Sequence, residues 1–291
     1  MNKPKISGYL LVVVALAVMM LSSCSRDHSS NVLTDSVEPQ RKLLSEIVGD
    51  KFEVETLMPR GANPETFEPT MRSRVSLDES PLYFAVGCLP FETKIVETLS
   101  DKARVVNTSA GIVPLYGTHS HDGECDHDGH HHGEVDPHTW VSVKNMRVIA
   151  RNMYDAVVKY DPDNKDYYTD RYNAVDRRLD LLDKAFAAKL DSAPGKAFAV
   201  WHPSLSYLAR DYGLEQISVS FENKEMSPVR LAEVAEEARE HGVRVFFFQQ
   251  DYDSRQAQTL NNAMNTRMIT VNPLDYDWDK ELTNVVDALA Q

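Results

Sequence analysis

Residues 161–190 read Asp161-Pro162-Asp163-Asn164-Lys165-Asp166-Tyr167-Tyr168-Thr169-Asp170-Arg171-Tyr172-Asn173-Ala174-Val175-Asp176-Arg177-Arg178-Leu179-Asp180-Leu181-Leu182-Asp183-Lys184-Ala185-Phe186-Ala187-Ala188-Lys189-Leu190. Tyr168, Tyr172, Val175, Leu179, Leu182, Phe186 and Leu190 recur three and four residues apart, with Asp, Arg and Lys between them. That spacing lays one apolar stripe along a single helix. Asp161 is expected to cap it with Pro162 in the first helical position, and Asp191-Ser192-Ala193-Pro194-Gly195 ends it. At 1.5 Å per residue, roughly 26 residues span about 39 Å, enough to run the length of two lobes and join them rigidly. An ordinary surface helix within one domain would show the same pattern.

Beyond the helix, strand and helix patterns alternate. Strands are expected at Ala197 to Trp201, Ile217 to Phe221, Val243 to Phe248 and Met268 to Val271. Helices are expected at Leu205 to Tyr212, Ser227 to Glu240, Ser254 to Met264 and Asp279 to Ala290. Such alternation signals a layered α/β unit with a parallel sheet. The N-terminal half alternates more loosely: strands near Val32, Phe52 to Met58, Leu82 to Val86 and Arg104 to Asn107, helices Gln40 to Val48 and Glu92 to Leu99. No sequence repeat relates the halves. The expected architecture is two α/β lobes with mostly parallel sheets joined by one long rigid backbone helix: residues 31–160, the helix 161–191, and residues 192–291. Tyr276 and Trp278 read as core of the second lobe.

Seven of the ten histidines lie between His119 and His138. His119, His121, His127, His130, His131 and His132 stand among glycines and carboxylates in the segment 117–134, and His138 follows in Asp136-Pro137-His138-Thr139-Trp140. Imidazole beside carboxylate suits zinc and its first-row neighbours, and Cys125 could join as thiolate. The repeat itself reads equally well as a solvated loop. His138 is different, because Pro137 stiffens its approach and an ordered apolar segment follows. His202 falls just after a predicted strand, where open parallel sheets hold their ligands. Two histidines from different halves could thus meet across a cleft between lobes.

The chain opens with Lys3 and Lys5, an apolar run from Tyr9 to Leu21, and Leu21-Ser22-Ser23-Cys24. The run is too short for a bilayer span and reads as a signal peptide, residues 1–23. Small residues before a cysteine are similar to the lipobox of bacterial lipoproteins, which makes Cys24 the lipidated mature terminus and residues 24–30 a flexible tether. Losing Lys3 and Lys5 and no acid moves the net charge from −13 to −15. Phosphate backbones would be repelled, so nucleic acid is not an expected partner. Cys88 reads as a buried small hydrophobe, and no disulfide framework is available.

Four motifs, in order, resemble the solute-binding lipoproteins of zinc and manganese ABC importers, the ZnuA and TroA type. Gly61-Ala62-Asn63-Pro64-Glu65-Thr66-Phe67-Glu68-Pro69 looks like the family's Gly-Ala-(Asp/Asn)-Pro-His-x-(Phe/Tyr)-Glu-Pro. Gly87-Cys88-Leu89-Pro90-Phe91-Glu92 is similar to its Gly-Leu-x-Phe-Glu. Asp136-Pro137-His138-Thr139-Trp140 matches intact, and His202-Pro203-Ser204-Leu205-Ser206-Tyr207 through Tyr212-Gly213-Leu214 resembles the fourth. The resemblance implies a metal between the lobes with His138 and His202 as ligands. It puts Glu65 where the family has a histidine, giving a two-histidine, one-carboxylate shell. In Val271-Asn272-Pro273-Leu274-Asp275, Asn272 holds the place of a family aspartate; water or Asp275 is expected to complete the shell.

The implied function is capture of a divalent metal, Zn(II) foremost with Mn(II) or Fe(II) possible, outside the cytoplasmic membrane by a monomer anchored there through Cys24, and delivery to an ABC permease. No reaction is implied. His119 to His132 would act as a lower-affinity collector, and affinity should weaken as pH falls through the histidine range near 6 to 7. Two other classes remain: a zinc-dependent hydrolase with Glu65 as general base, and a metal-sequestering or adhesion lipoprotein without a permease.

Overall fold

The computed structural model describes residues 31–116, 135–219, 227–249 and 254–291. The leader, Cys24, and the His119 to His132 segment with Cys125 lie outside the described residues. Strand and helix alternate through the first lobe as β1 (Val32–Asp35), α1 (Glu38–Val48), β2 (Glu53–Thr56), α2 (Met71–Glu79), β3 (Tyr83–Ala85), α3 (Pro90–Thr98) and β4 (Val105–Asn107). Two long helices follow, α4 (Val143–Tyr160) and α5 (Lys165–Asp191). The second lobe runs β5 (Ala197–Val200), α6 (Ser206–Tyr212), β6 (Glu215–Ser218), α7 (Pro228–Glu240), β7 (Val245–Gln249), α8 (Ser254–Met264), β8 (Arg267–Val271) and α9 (Trp278–Leu289).

Each lobe holds a four-stranded sheet in which every pairing is parallel, ordered β2-β1-β3-β4 in one and β6-β5-β7-β8 in the other. The two orders are the same topology, although no sequence repeat announces it. Helices cover both faces of such sheets, so central strands carry unbroken apolar runs. Tyr83-Phe84-Ala85 and Val245-Phe246-Phe247-Phe248 are buried throughout.

The long helix is α5, 27 residues and so about 40 Å long. It starts later than its sequence suggests. Pro162–Asn164 form a separate 3₁₀ turn, and Asp161 does not cap it. Its carboxylate is engaged instead by Tyr168, whose hydroxyl donates at 2.6 Å, and by Asn164 Nδ2 at 2.8 Å. The sequence reading missed α4, although Val143, Met146, Ile149, Ala150, Met153 and Val157 form its buried stripe and Ser142 caps it by accepting from Asn145 N at 3.0 Å. It also missed α2, which buries only Leu77. β6 ends at Ser218 because it pairs with β5 only from Ala197↔Glu215 to Val200↔Ser218.

One continuous apolar core runs from Leu33 and Phe84 in the first lobe, through Ile149, Leu179 and Phe186, to Phe198, Phe247 and Val285 in the second. A separate core around Trp201, Phe246 and Leu260 fills the other face of the second sheet. Arg178, midway along α5, donates to Glu46 of α1 at 2.5 Å and to Asp279 of α9 at 2.7 Å, so one guanidinium ties the backs of both lobes. Cys88 is half-buried rather than buried, and its setting pushes the thiol up to about 12, burial first, then the charges of Glu92 and Asp136. Among the described residues, no helix is long and apolar enough to cross a membrane.

Candidate metal centre

The first candidate ligand sits on a built turn. Gly61 takes a left-handed φ of 78°, and Asn63 closes the turn by accepting from Glu65 N at 2.8 Å through its side chain and from Phe67 N at 2.9 Å through its carbonyl. Phe67 then packs edge-on against buried Phe91, ring centroids 5.0 Å apart. Phe91 is itself held by its neighbour: the buried Glu92 carboxylate accepts from the backbone N–H groups of Val86 and Gly87, each at 2.7 Å, and of Leu89 at 3.1 Å. Two of the four sequence motifs therefore brace each other, and Glu65 projects from the braced turn.

His138 comes from the loop before α4. Its Nδ1 lies 2.8 Å from Asp136 Oδ1, and the same oxygen accepts from its backbone N–H at 2.9 Å. With Nδ1–H donating to a carboxylate, Nε2 is the nitrogen left to bind a metal. Burial alone would raise the Asp136 carboxyl, but the charge and hydrogen bonds of His138, together with a bond from Ser206, hold it below its usual value. Trp140 extends the anchorage across the cleft, donating from Nε1 to Pro273 O at 2.8 Å.

His202 lies two residues past the end of β5. Buried Gln249, the last residue of β7, accepts from His202 N at 3.3 Å and donates to His202 O at 3.1 Å and Ser204 Oγ at 2.7 Å. The ligand loop is thereby pinned between the central strands of the second sheet. Burial first, then nearby His138, push the His202 imidazole down to about 3, against an opposing pull from Asp136. The expected loss of affinity between pH 7 and 6 therefore does not come from His202, which stays neutral there.

The three residues come together. His202 Nε2 lies 3.3 Å from Glu65 Oε1, and the rings of His138 and His202 have centroids 5.2 Å apart. Bond lengths of about 2.0–2.1 Å around a tetrahedral zinc put neighbouring donor atoms about 3.3 Å apart and two bound imidazole centroids about 5 Å apart. The Glu65–His202 pair has that donor spacing, and the two imidazoles meet edge-on, their planes 71° apart. Among the described residues, no three His, Cys, Asp or Glu side chains are gathered closely enough to hold an ion as they stand.

His138 and His202 line a cavity of about 220 Å³ that also takes in Asn272 and Asp275. Both are engaged in their own turn: Asn272 Oδ1 accepts from Leu274 N at 3.1 Å, its Nδ2 donates to Asp275 Oδ2 at 3.4 Å, and Asp275 Oδ1 accepts from Asp277 N at 2.8 Å. Tyr276 is a correction. It lines the cavity with Arg41 stacked 4.4 Å from its ring, whereas Trp278 is core as expected. Sequence reading also missed Arg60, Ser204 and Gln249 in the cavity wall. Arg60 adjoins the Gly61 motif and Gln249 ends an apolar strand, which were the available signals.

With this geometry, the similarity to known proteins is specific. A family model described as zinc-uptake complex component A, periplasmic (ZnuA) matches residues 34–291. The chain is 28% identical over 276 residues to the zinc-binding lipoprotein AdcA of Streptococcus pneumoniae, covering 91% of this chain and 55% of AdcA, so it spans about half of that relative's length. It is 28% identical over 287 residues to the high-affinity zinc uptake system protein ZnuA of Bacillus subtilis, covering 91% of this chain and 88% of that one. A crystal structure of ZnuA has a TM-score of 0.78 at 27% identity, covering 89% of this chain and 97% of the other. The chain belongs to the zinc-uptake complex component A (ZnuA) family.

Proposed function

We propose that this protein is an extracytoplasmic receptor that captures Zn(II) between its lobes and hands it to the permease of an ABC importer, carrying the ion rather than transforming anything. Its ligands are Glu65, His138 and His202, and lipidated Cys24 keeps the monomer at the membrane. The observation that carries the reading is the meeting of two histidines from different lobes in one interlobe cavity, with Glu65 Oε1 3.3 Å from His202 Nε2. The relatives AdcA and ZnuA, whose names describe zinc binding and zinc uptake, support the choice of metal.

The residues prepare the site for a dication. A neutral His202 has no proton to shed before it coordinates at neutral pH. Asp136 fixes the His138 tautomer and raises the basicity of its free nitrogen. Glu65, on a turn at the cavity edge, is the ligand that can swing as the ion enters. A carboxylate is harder than the imidazole it replaces, so this shell discriminates less against Mn(II) and Fe(II).

Competitive Zn(II) titration against a chelator of known affinity tests the assignment, using wild type, His202→Ala, Glu65→Ala and a form lacking residues 117–134. The account expects one tight site that survives the deletion, is lost in His202→Ala and is weakened in Glu65→Ala. Unchanged tight binding in both point variants would move the metal out of the cleft and sink the assignment.

A further inference from the structure

We infer that the cleft takes its metal together with a small chelating carboxylate of amino-acid or citrate size, and that Arg60 pairs with that anion. The inference rests on the interlobe metal site proposed above. Three observations lead to it.

The first is space. A cavity of about 220 Å³ is far larger than an ion with one open position fills. It is also smaller than the roughly 300–1,000 Å³ of pockets for drug-sized ligands. The second is donors. Among the described residues, Glu65, His138 and His202 give a tetrahedral zinc three of its four ligands. Asn272 and Asp275, the nearest candidates, are engaged in the turn that they build. An oxygen donor brought in with the metal would complete the shell.

The third is charge. Arg60 stands in the wall of a cavity meant for a dication, and its side chain is 71% exposed. Its acidic partner is Glu38, 3.5 Å away, and Glu38 already accepts from Arg41 at 2.7 Å and from Thr56 at 2.8 Å. Arg60 is therefore loosely held. A guanidinium held by a shared carboxylate and by the Tyr276 ring, 6.0 Å from its Cζ, still repels a dication, and zinc bound by one carboxylate keeps a net positive charge. An anion bound to the metal removes both penalties, and the planar fork of arginine is built for a carboxylate.

Equilibrium dialysis of the full chain tests this, with free zinc read by an indicator on the protein-free side and radiolabelled citrate or L-histidine counted on both sides. Wild type should retain one labelled anion per protein with at least one of the two probes, and only when zinc is present. Arg60→Ala should bind zinc alone about threefold more tightly, because a cation leaves the wall, yet retain the anion at least tenfold more weakly. Zinc bound by wild type with neither anion retained, or equal anion retention by Arg60→Ala, overturns the inference while the carrier reading stands. Failure to retain zinc under any condition would overturn both.

Discussion

Asp136 Oδ1 lies 2.8 Å from Nδ1 of His138, a contact made inside one tight loop by residues two apart in the chain. It is the smallest unit of the site that sequence alone specifies, since Pro137 between them limits how the loop can turn. A carboxylate in this place orients the ring and leaves Nε2 as its free nitrogen.

Asp136→Asn should keep the fold and lose metal affinity. The amide can still meet Nδ1, but it brings no charge to polarise the ring, and outer partners of this type are worth about 10- to 100-fold in affinity. Chelator competition measures the loss. An affinity within twofold of wild type would show that Asp136 does not orient a ligand.

The pH response of the metal-free protein follows from His202. In the folded state burial holds this ring neutral down to about 3, while in the unfolded chain it takes a proton near 6.5. Between those values the unfolded state binds more protons, so this group's contribution makes stability fall as pH falls from about 6.5 toward 3, by up to about 1.4 kcal/mol per pH unit. Urea melts at several pH values measure the slope, and imidazole NMR of the folded protein should find the His202 ring unchanged from pH 8 to 5. A His202 resonance titrating near 6.5 would refute the assignment.

The long helix offers a paired test. Leu179 is fully buried in the shared core, and Leu181, two residues on, is 68% exposed. Leu179→Ala should cost about 2–5 kcal/mol, and Leu181→Ala should stay within about 0.5 kcal/mol. Denaturant unfolding compares them. Equal costs would mean that α5 is rotated from the orientation described.

Trp140→Phe keeps an aromatic ring in the core but removes the donor to Pro273 O. The net loss should be about 1 kcal/mol, rising toward 3 if that carbonyl is left dry. Because the bond joins the His138 loop to the Asn272 turn, zinc affinity should fall with it. A stability loss with zinc affinity unchanged would separate this tie from the site.

The sequence made the architecture legible where periodicity was strong and uninterrupted. Leu179, Phe186 and Leu190 marked α5, and Val245 to Phe248 marked a central strand. It failed at α4, although the stripe from Val143 to Val157 is equally regular. It failed at α2 for the opposite reason, since a helix that buries only Leu77 leaves almost no pattern. The symmetry of the two sheets was invisible, because strand order depends on contacts distant in the chain. Of the residues that line the cavity, those carried by local motifs were legible: His138, His202, Asn272 and Asp275. Arg60, beside the Gly61 motif, Ser204, within the His202 motif, and Gln249, at the end of an apolar strand, carried only weak signals of their place in the cavity wall. The role expected for His119 to His132 lies outside the described residues.

Anomalous diffraction from zinc-loaded crystals, recorded on both sides of the zinc absorption edge, tests the central claim most directly. The account predicts a strong peak between the lobes, about 2.0–2.2 Å from Nε2 of His138, Nε2 of His202 and a carboxylate oxygen of Glu65. A tight zinc peak found elsewhere, with none between His138 and His202, would contradict it.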